Sequence, residues 1–583
     1  MEVPEAFCEP LRRVLGWLLS LRDASGRIVC PAHRIEHTGK SAGVIVMACE
    51  LMRCSPKEDR EALLEVAIQQ AERLVSRLER EPSSTCFTFR PGRHDPFNCS
   101  NSVIDGAACS DALAELVLNH GQRLSAAQRT RFRRASVLHA QTYLRYAILD
   151  KGIPAQKAWA MTGVAGAWKL AGHEVLELAV REGERLLAEV QHADGSFPYH
   201  PLAAGADHPG ASDVSAFYQS RVTAFSMFAL ERIGLDPAHA DHRAPLQRGL
   251  EFLLGLSGPD GLKCGLLEAK PWYWGAAHEV ASHPFDVFAL ARGFRHFGDV
   301  RLARAALRAW RVWEEHLGQD GRPADHEPGP GRRPSYQCPL FWAGHASWMA
   351  RSLADLAHAS RELEGAPQDS STPRVRHFPQ ASLTRLDDGV VAAWVRGARP
   401  PVNVLHGSPR GAGLLRVISR GGEDLLARAM DEPVGEAEWQ GSLGGLAPLR
   451  GWRSGASELR FSLWLARNAW RAGRRLEAVA WPAKLLARGV CAFAGPRVAS
   501  SFALAPTTEL DAAGLTLEGH LAWRDGSPVP DTTIHRRFSV DGEGLLVEER
   551  MVGAGGVRGL DYRVPERARA VEREPGFVRY RLG

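Results

Sequence analysis

The sequence lacks the long apolar runs and the basic blocks that mark several large protein classes. No window approaches 18 uncharged apolar residues, so we expect no membrane as a partner. The amino terminus has no basic stretch followed by a long apolar core, which predicts a cytoplasmic protein. The 72 basic and 67 acidic residues leave a net charge of +5 with no Lys/Arg block. Nucleic acid is therefore not an expected partner either.

Cysteine motifs for metals and disulfide scaffolds are also missing. The ten cysteines include no CxxC pair, which disfavours a zinc ribbon and indicates reduced thiols. Cys30, His33 and His37 have plausible ligand spacing but lack a fourth ligand nearby, and "HEVASH" places His278 and His283 five residues apart instead of four. We therefore expect no metal and no other cofactor.

The sequence contains no GxSxG elbow, Walker loop or GxGxxG fingerprint. A nucleophilic serine at a strand-to-helix turn and a glycine-rich phosphate loop each depend on those glycines. Their absence disfavours acyl transfer by a serine triad and nucleotide chemistry.

A repeat occupies the first 360 residues. An amphipathic helix ending in an Asp/Gly turn recurs, as in "RLLAEVQHADGSF" and "LEFLLGLSGPDGL", and a weaker copy lies near residue 83. Six turns spaced roughly 45 to 65 residues apart leave room for two helices per repeat. The aspartates of the clearer turns are Asp23, Asp150, Asp194, Asp260 and Asp320.

The two helices of each repeat differ in composition. One is rich in small residues, as in "AWAMTGVAGAWKLAG", and the other in Arg and Glu, as in "RLARAALRAWRVWEEHL". Small side chains allow close helix packing, which predicts an inner ring surrounded by an outer ring of amphipathic helices. We expect residues 1–360 to form a catalytic (α/α)6 toroid, with an open solenoid as the alternative.

The sequence pattern changes beyond residue 360. "EGAPQDSSTPR" indicates a linker over 361–374, and short alternating runs such as "TTIHRRFSVDGEGLLVEERMV" follow it. We expect residues 375–583 to form an antiparallel β-sandwich, which makes the fold class α+β multidomain.

Polar and aromatic residues collect in the loops that enter the small-residue helices. In a toroid these loops meet at one end of the ring, so distant residues can line one cleft. Tyr218 and Arg221 lie three apart on a helix and share a face.

Several of these residues also suit a structural role. Asp213 also suits an N-cap, and the tryptophans also suit the core. The candidate substrate-binding residues are Asn98, Lys157, Tyr199, His208, Tyr273, Trp274, His283, Trp342 and His345.

The segments "NCSNSVIDG", "DGSFPYH" and "SAFYQSR", within a toroid followed by a β-sandwich, resemble the two-domain polysaccharide lyases. These include the heparinase II/III-like and the alginate or chondroitin lyase groups. The resemblance implies β-elimination at C4 of a uronic acid, with an acidic poly- or oligosaccharide as substrate. It also implies that Asn101 or Asn98 holds the carboxylate and His200 is the base, with His208 in competition. Tyr218 is then the acid or shared acid/base, and Arg221 steadies the charge.

Two other functions stay open. A toroidal glycoside hydrolase of the uronyl hydrolase type would use carboxylates, and Asp105 and Asp213 stand at the starts of two inner helices. A non-catalytic carbohydrate-binding protein would keep the fold without either reaction. A lyase yields a conjugated double bond, a hydrolase yields only new reducing ends, and a binder yields neither.

Overall fold

The chain is helical up to Glu362, and its strands begin at Arg374. The computed structural model describes residues 3–31, 36, 38–80, 100–201, 214, 216–264, 282–324, 339–364, 374–397, 412–426, 436–443, 498–502, 505–523, 527–553 and 556–583, with scattered positions between 463 and 483.

The helices alternate between two layers. The inner layer contains α2 (Thr38–Cys54), α4 (Ser100–His120), α7 (Pro154–Ala171), α9 (Ala216–Arg232), α11 (His283–Phe297) and α13 (Pro339–Ala350). The outer layer contains α1 (Glu5–Ser20), α3 (Lys57–Arg80), α5 (Ala126–His139), α6 (Arg145–Asp150), α8 (Glu174–Val190), α10 (Ala240–Leu256), α12 (Val300–Glu315) and α14 (Leu353–Glu362), with a π-helical stretch, Ala140–Leu144, between α5 and α6. The inner helices are the small-residue helices, as the composition predicted.

The ring is closed. Each inner helix contacts the next along the chain, and α13 contacts α2. At that junction a Cβ added to Gly43 would lie 2.4 Å from the Gly344 carbonyl oxygen, so the backbones meet where only glycine fits. In the outer layer, Arg13 of α1 donates from Nη1 to the carbonyl of Gly318 at 3.2 Å. The prediction of an (α/α)6 toroid is confirmed, and the solenoid alternative is wrong.

The Asp/Gly turns share one hydrogen-bond pattern. In the first, Asp23 Oδ1 accepts from the backbone N–H groups of Ser25 and Arg27, both at 2.9 Å. In the last, Asp320 Oδ1 accepts from the N–H of Arg322 at 3.0 Å. Asp150 differs, because it is the last residue of α6 and is followed after a short connection by α7, which begins at Pro154.

The helical segment of the last repeat breaks in two. α13 ends at Ala350 and α14 begins at Leu353. The Ser352 hydroxyl donates to the Trp348 carbonyl at 3.0 Å, and the Arg351 carbonyl accepts from Arg292 at 3.1 Å. Both bonds satisfy helix-end carbonyls that would otherwise lack partners.

The middle of the ring and its carboxyl-terminal end are filled. Phe225, Phe285 and Trp348 pack with ring centroids 4.6 to 6.1 Å apart. Beyond them, a buried ion pair joins Arg351, which follows the carboxyl end of α13, to Asp111 of α4 at 2.7 Å. Within the described residues, this packing leaves the amino-terminal ends of the inner helices as the place for a cleft.

The carboxyl-terminal part consists of antiparallel sheets, as predicted. The sheet orders are β1-β2-β3-β4, β13-β14-β11-β10-β8-β7 and β12-β5-β6-β9. One apolar core, including Val417, Phe538 and Val547, joins all three. The strands are β1 (Arg374–Phe378), β2 (Leu383–Asp387), β3 (Val391–Arg396), β4 (Gly413–Ser419), β5 (Glu438–Leu443), β6 (Val498–Ala499), β7 (Thr507–Leu510), β8 (Gly514–Gly519), β9 (Ala522–Trp523), β10 (Thr533–Val540), β11 (Leu545–Val552), β12 (Val557–Arg563), β13 (Arg569–Glu574) and β14 (Phe577–Leu582).

The β domain docks on the helical ring through its first sheet. Trp394 of β3 is fully buried and donates from Nε1 to the Gly255 carbonyl at 2.8 Å. Two repeat turns also contribute: Asp194 Oδ2 accepts from the Ala381 N–H at 3.1 Å, and Asp260 pairs with Arg416. Strand β3 is consequently buried on both faces.

Among the described residues, no helix has the length and apolar character needed to cross a membrane.

Candidate functional site

The candidate site lies at the amino-terminal ends of the inner helices. Its described part comprises their first turns and the segment that ends at His200. The amino ends of parallel helices carry partial positive charge, which favours anionic ligands. Asn101 lies in the first turn of α4, where only its backbone is described. The candidates Asn98, His208, Asp213, Tyr273 and Trp274 lie outside the described residues, as do His33 and His37.

Two tyrosines stack at this end of the ring. The rings of Tyr199 and Tyr218 lie 5.6 Å apart at an interplanar angle of 26°. Tyr218 also meets Phe217 edge to face at 5.0 Å. Both tyrosines are half-buried, so each ring is fixed by packing while part of the side chain is accessible.

Arg221 lies beneath this stack and is almost completely buried, at 1% exposure. Its guanidinium Cζ lies 3.7 Å from the ring centroid of Phe217, 4.3 Å from that of Phe285 and 5.7 Å from that of Tyr218. Nη1 donates to the Phe217 carbonyl. The charge is thus held by aromatic faces and a backbone oxygen one helical turn below the tyrosines.

A second buried cation, Lys40 of α2, faces the same region. Its Nζ lies 5.7 Å from the ring centroid of Trp159. His345 packs against Trp159 at 6.0 Å and against Phe285 at 4.8 Å. Burial, with the positive charges of Lys40 and Arg221, holds the pKa of His345 well below its usual value. The His345 imidazole is therefore neutral at pH 7.

His200 sits over the loop that leads into α7. A Cβ added to Gly152 would lie 2.5 Å from Cε1 and 2.7 Å from Nε2 of His200, so the absence of a side chain at Gly152 makes room for the imidazole. Burial lowers the pKa of His200. A neutral imidazole can accept a proton, which is the property that a general base needs.

Asp105 lies on α4, against the first turn of α2. A Cβ at Gly39 would lie 2.4 Å from Asp105 Oδ1. The side chain is buried, and Oδ2 has no hydrogen-bond partner among the described residues. A buried carboxylate oxygen without a partner costs free energy, and such groups cluster at functional sites.

Three of the residues predicted to bind substrate make contacts with the protein's own backbone or core. Lys157 Nζ donates to the carbonyls of Ile148 and Leu149 at 2.7 and 3.0 Å, which closes the end of α6. His283 is fully buried and donates from Nε2 to the Gly261 carbonyl at 3.0 Å. Trp342 is buried against Phe217. The structure brings Tyr199, Tyr218 and Arg221 together, with His345 linked to them through the Phe285 ring. Trp342 packs with Phe217 and Tyr218 from within the core, whereas Lys157 and His283 bind backbone carbonyls.

Sequence reasoning missed Gly152, Trp159 and Phe285. Gly152 accommodates His200, and the two aromatic rings enclose His345. Gly152 stands two residues before the proline that opens α7, a common turn signal, so nothing marked it as a contact of the site. The aromatic residues occur in apolar helices, where a core position is the ordinary expectation.

Among the described residues, no group of three or more His, Cys, Asp and Glu side chains is arranged to hold a metal ion.

The stability of the folded chain is expected to depend on pH through His345. The unfolded chain takes up a proton at His345 as the pH falls below about 6.5, whereas the folded chain does not. The contribution of this group is therefore complete above that pH and is lost below it. For a histidine that stays neutral, the loss between pH 7.5 and 5 is about 2 kcal/mol. In urea titrations, the free energy of unfolding of the unaltered protein should therefore fall by about 2 kcal/mol more than that of His345→Phe when the pH is lowered from 7.5 to 5.

A matched control is His535→Phe, at an exposed position of β10. It should lose as much stability as the unaltered protein over the same pH step. Equal pH dependence of His345→Phe and the unaltered protein would show that His345 titrates normally in the fold.

No protein-family model matches the chain, and no curated protein matches it. Solved structures do share its helical architecture. A glycosyl hydrolase family 88 protein from Bacteroides vulgatus is 12% identical with a TM-score of 0.45, and the match covers 61% of this chain and all of that one. A cellobiose 2-epimerase from Spirochaeta thermophila is 12% identical (TM-score 0.44, 62% of this chain and 98% of that chain). A polysaccharide lyase is 14% identical (TM-score 0.45, 63% and 99%). These low similarities assign no reaction to this chain.

Proposed function

We propose that this protein is a carbohydrate-active enzyme that cleaves a uronate-containing poly- or oligosaccharide by β-elimination. The observation that carries the proposal is the half-buried Tyr218, stacked on Tyr199 above the buried guanidinium of Arg221. A phenol with a fixed ring and a cation beneath it suits proton transfer next to developing negative charge.

The reaction needs three chemical roles. Removal of the C5 proton builds negative charge on the uronate carboxylate, which an amide or a cation must stabilise. A base must accept that proton, and an acid must protonate the leaving oxygen at C4. We assign the base to His200, with His208 as the alternative, and the acid to Tyr218. Asn101 or Asn98 holds the carboxylate.

Arg221 has a different role from that of a substrate ligand. Phe217 and Phe285 cover its guanidinium, so the substrate does not touch it. Its charge acts through a low-dielectric interior, where electrostatic interactions are stronger than in water. Together with Lys40 it makes this end of the ring favourable for an acidic sugar. We therefore treat Arg221 as a positioning residue.

A second candidate is a glycoside hydrolase that uses Asp105 and Asp213. The observation that favours it is Oδ2 of the buried Asp105, which has no hydrogen-bond partner in the part of the chain that the structure describes. Hydrolysis needs one carboxyl as acid and another as base or nucleophile. Asp105→Asn separates the two candidates: it should abolish hydrolysis, whereas it should leave most of an elimination that depends on Tyr218.

The proposal is tested by incubating the purified chain with a panel of uronate polymers and oligomers. Near-ultraviolet absorbance reports the conjugated double bond, and a reducing-sugar assay reports every cleavage. Both signals should rise together on at least one substrate. New reducing ends without absorbance would favour the hydrolase, and binding without either signal would favour the non-catalytic alternative.

The close approach of Gly152 to His200 gives a prediction for the base. Gly152→Ala places a methyl group where the imidazole now lies, so His200 must move. A displacement of about 1 Å at a reacting group costs roughly 100-fold in rate. We expect turnover to fall by about this factor, measured as the rate of absorbance increase, with little change in melting temperature.

The matched control is Gly16→Ala on α1, where nothing lies within 4 Å of an added Cβ. This variant should keep full turnover. Full activity of Gly152→Ala would remove His200 from the mechanism and favour His208 as the base.

A further inference from the structure

The chain approaches Tyr199 and His200 through a tight turn that Asp194 closes. Asp194 Oδ1 accepts hydrogen bonds from the N–H and the hydroxyl of Ser196 at 3.1 and 2.7 Å. His200 is six residues beyond Asp194. The position of the turn therefore limits the position of the imidazole.

The helix that carries Tyr218 binds this turn from one side. Gln219 of α9 is fully buried, and its Oε1 accepts from the Phe197 N–H at 3.1 Å. Its Nε2 donates to the Gly195 carbonyl at 3.0 Å. The amide of Gln219 thus fixes the turn to the first turn of α9, one residue after Tyr218.

The β domain binds the same turn from another side. Asp194 Oδ2 accepts from the N–H groups of Gln380 and Ala381 at 2.9 and 3.1 Å. Both residues lie in the connection between β1 and β2. Hydrogen bonds to an ionised carboxylate are roughly twice as strong as those between neutral groups. One carboxylate therefore closes the turn with one oxygen and joins it to the β domain with the other.

A second contact links the β domain to the chain closer to His200. Pro198 forms an isolated antiparallel bridge with Val214. Val214 packs in one apolar cluster with Ala381 of the β domain. This cluster places apolar side chains of the β domain next to the backbone that leads to Tyr199 and His200.

We propose that Asp194 is a positioning residue, through which the β domain holds the segment of Tyr199 and His200 at the cleft. The inference rests on the proposed function, because it gives a contact between the two domains a role in the reaction. Without the Asp194 carboxylate, the turn keeps its bonds to Gln219 but loses its hydrogen bonds to the β domain, so the segment can shift relative to Tyr218. A displacement of about 1 Å at a reacting group costs roughly 100-fold in rate.

The experiment compares the full chain with its variants Asp194→Ala and Gln380→Pro. The first removes both carboxylate oxygens. The second removes one of the two N–H donors of the β domain and leaves the Asp194 turn intact. Gln380 stands second in a four-residue turn that the Ser382 N–H closes on the Pro379 carbonyl at 3.1 Å. Proline is favoured at this position of the common turn types.

We expect turnover to fall by roughly 100-fold in Asp194→Ala and by a smaller factor in Gln380→Pro. The His200 imidazole is followed separately by the ¹³Cε1 resonance of labelled histidine, which is assigned by its absence in His200→Gln. Burial lowers the pKa of His200. A segment displaced toward solvent should therefore raise the midpoint of this titration toward about 6.5. This second measurement needs no substrate.

Two further variants control for a general loosening of the fold. Asp320→Ala removes the corresponding carboxylate from the turn of the last repeat. Arg385→Leu removes two bonds from the β domain to the carbonyls of Leu254 and Ser257, both at 2.8 Å. Both variants should keep the turnover and the His200 titration of the unaltered protein.

The two measurements separate the inference from the proposed function. An unchanged His200 titration in Asp194→Ala, or an equal shift in Arg385→Leu, would overturn the inference even if the chain cleaves a uronate substrate. A shifted titration with unaltered turnover would also overturn it, because the position of the segment would then not matter to the reaction. A shifted titration in a chain that cleaves no uronate substrate would support the role of Asp194 and contradict the proposed function.

Discussion

Tyr218→Phe is expected to lower turnover by about 100-fold or more. The substitution removes one oxygen atom and keeps the ring, which continues to stack on Tyr199 and to meet Phe217 edge to face. A positioned proton-transfer group typically contributes at least that factor. Substrate KM and melting temperature should change little, because in the proposed mechanism the hydroxyl acts in the transition state, while the ring supplies the packing. Initial rates on the substrate found in the uronate panel measure the loss.

The comparison variants are Tyr199→Phe and Tyr146→Phe. Tyr146 is on α6 and is exposed at 52%, so its variant should keep full turnover. Tyr199 is the stacking partner of Tyr218. Tyr199→Phe should therefore lower turnover less than Tyr218→Phe does. Near-normal turnover of Tyr218→Phe, with a large loss in Tyr199→Phe, would transfer the role of acid to Tyr199.

Arg536→Met is expected to destabilise the β domain by about 3–5 kcal/mol, the usual cost of removing one partner of a buried ion pair. Arg536 of β10 is fully buried, and its Nη2 donates to Glu549 Oε1 of β11 at 2.8 Å. It also donates to the carbonyls of Ala412 and Ala437 at 3.0 and 2.9 Å. Burial raises the pKa of Glu549, which Arg536 partly offsets. Without the guanidinium, two carbonyls lose this donor, and the buried Glu549 carboxylate loses its charged partner while it keeps the Tyr562 hydroxyl as a donor at 2.9 Å.

A double-mutant cycle provides the control for this prediction. Glu549→Leu added to Arg536→Met removes the carboxylate that has lost its ion-pair partner, so the double change should cost less than the sum of the single changes. Because a two-domain chain can unfold in several steps, hydrogen exchange of the β10 and β11 peptides measures the relevant free energy. Equal protection in Arg536→Met and the unaltered protein would show that the ion pair contributes nothing to the sheet.

The ring was predictable because its contacts depend on local composition. Gly43 and Gly344 meet across the α2–α13 junction, and only residues without side chains permit that approach. The turn aspartates bind their own backbone, so a short motif marks each of these turns. The break between α13 and α14 was not predictable, since Ser352 and Arg292 satisfy the helix-end carbonyls through contacts that a helical pattern does not encode.

The sequence indicated which candidate residues stand near the starts of the inner helices, and it indicated less well which of them contact one another. Sequence identifies residues near the start of an inner helix but not the direction in which each side chain points. Tyr218 and Arg221 share a face, as their spacing indicated, yet Arg221 is covered by two aromatic rings. His283 opens α11 and turns to the Gly261 carbonyl instead of the cleft. Helix rotation follows from packing on both neighbours, which involves residues distant in sequence.

The masses of the cleavage products test the β-elimination claim most directly. Elimination divides a uronate oligosaccharide without adding water, so the non-reducing end of one fragment must be one water lighter than its saturated counterpart. Hydrolysis adds one water and leaves both fragments saturated. The account predicts the lighter, unsaturated fragment from a purified oligosaccharide of defined length, and its rate of formation should fall in Tyr218→Phe. Saturated fragments alone would contradict the account and assign the cleft to carboxylate chemistry.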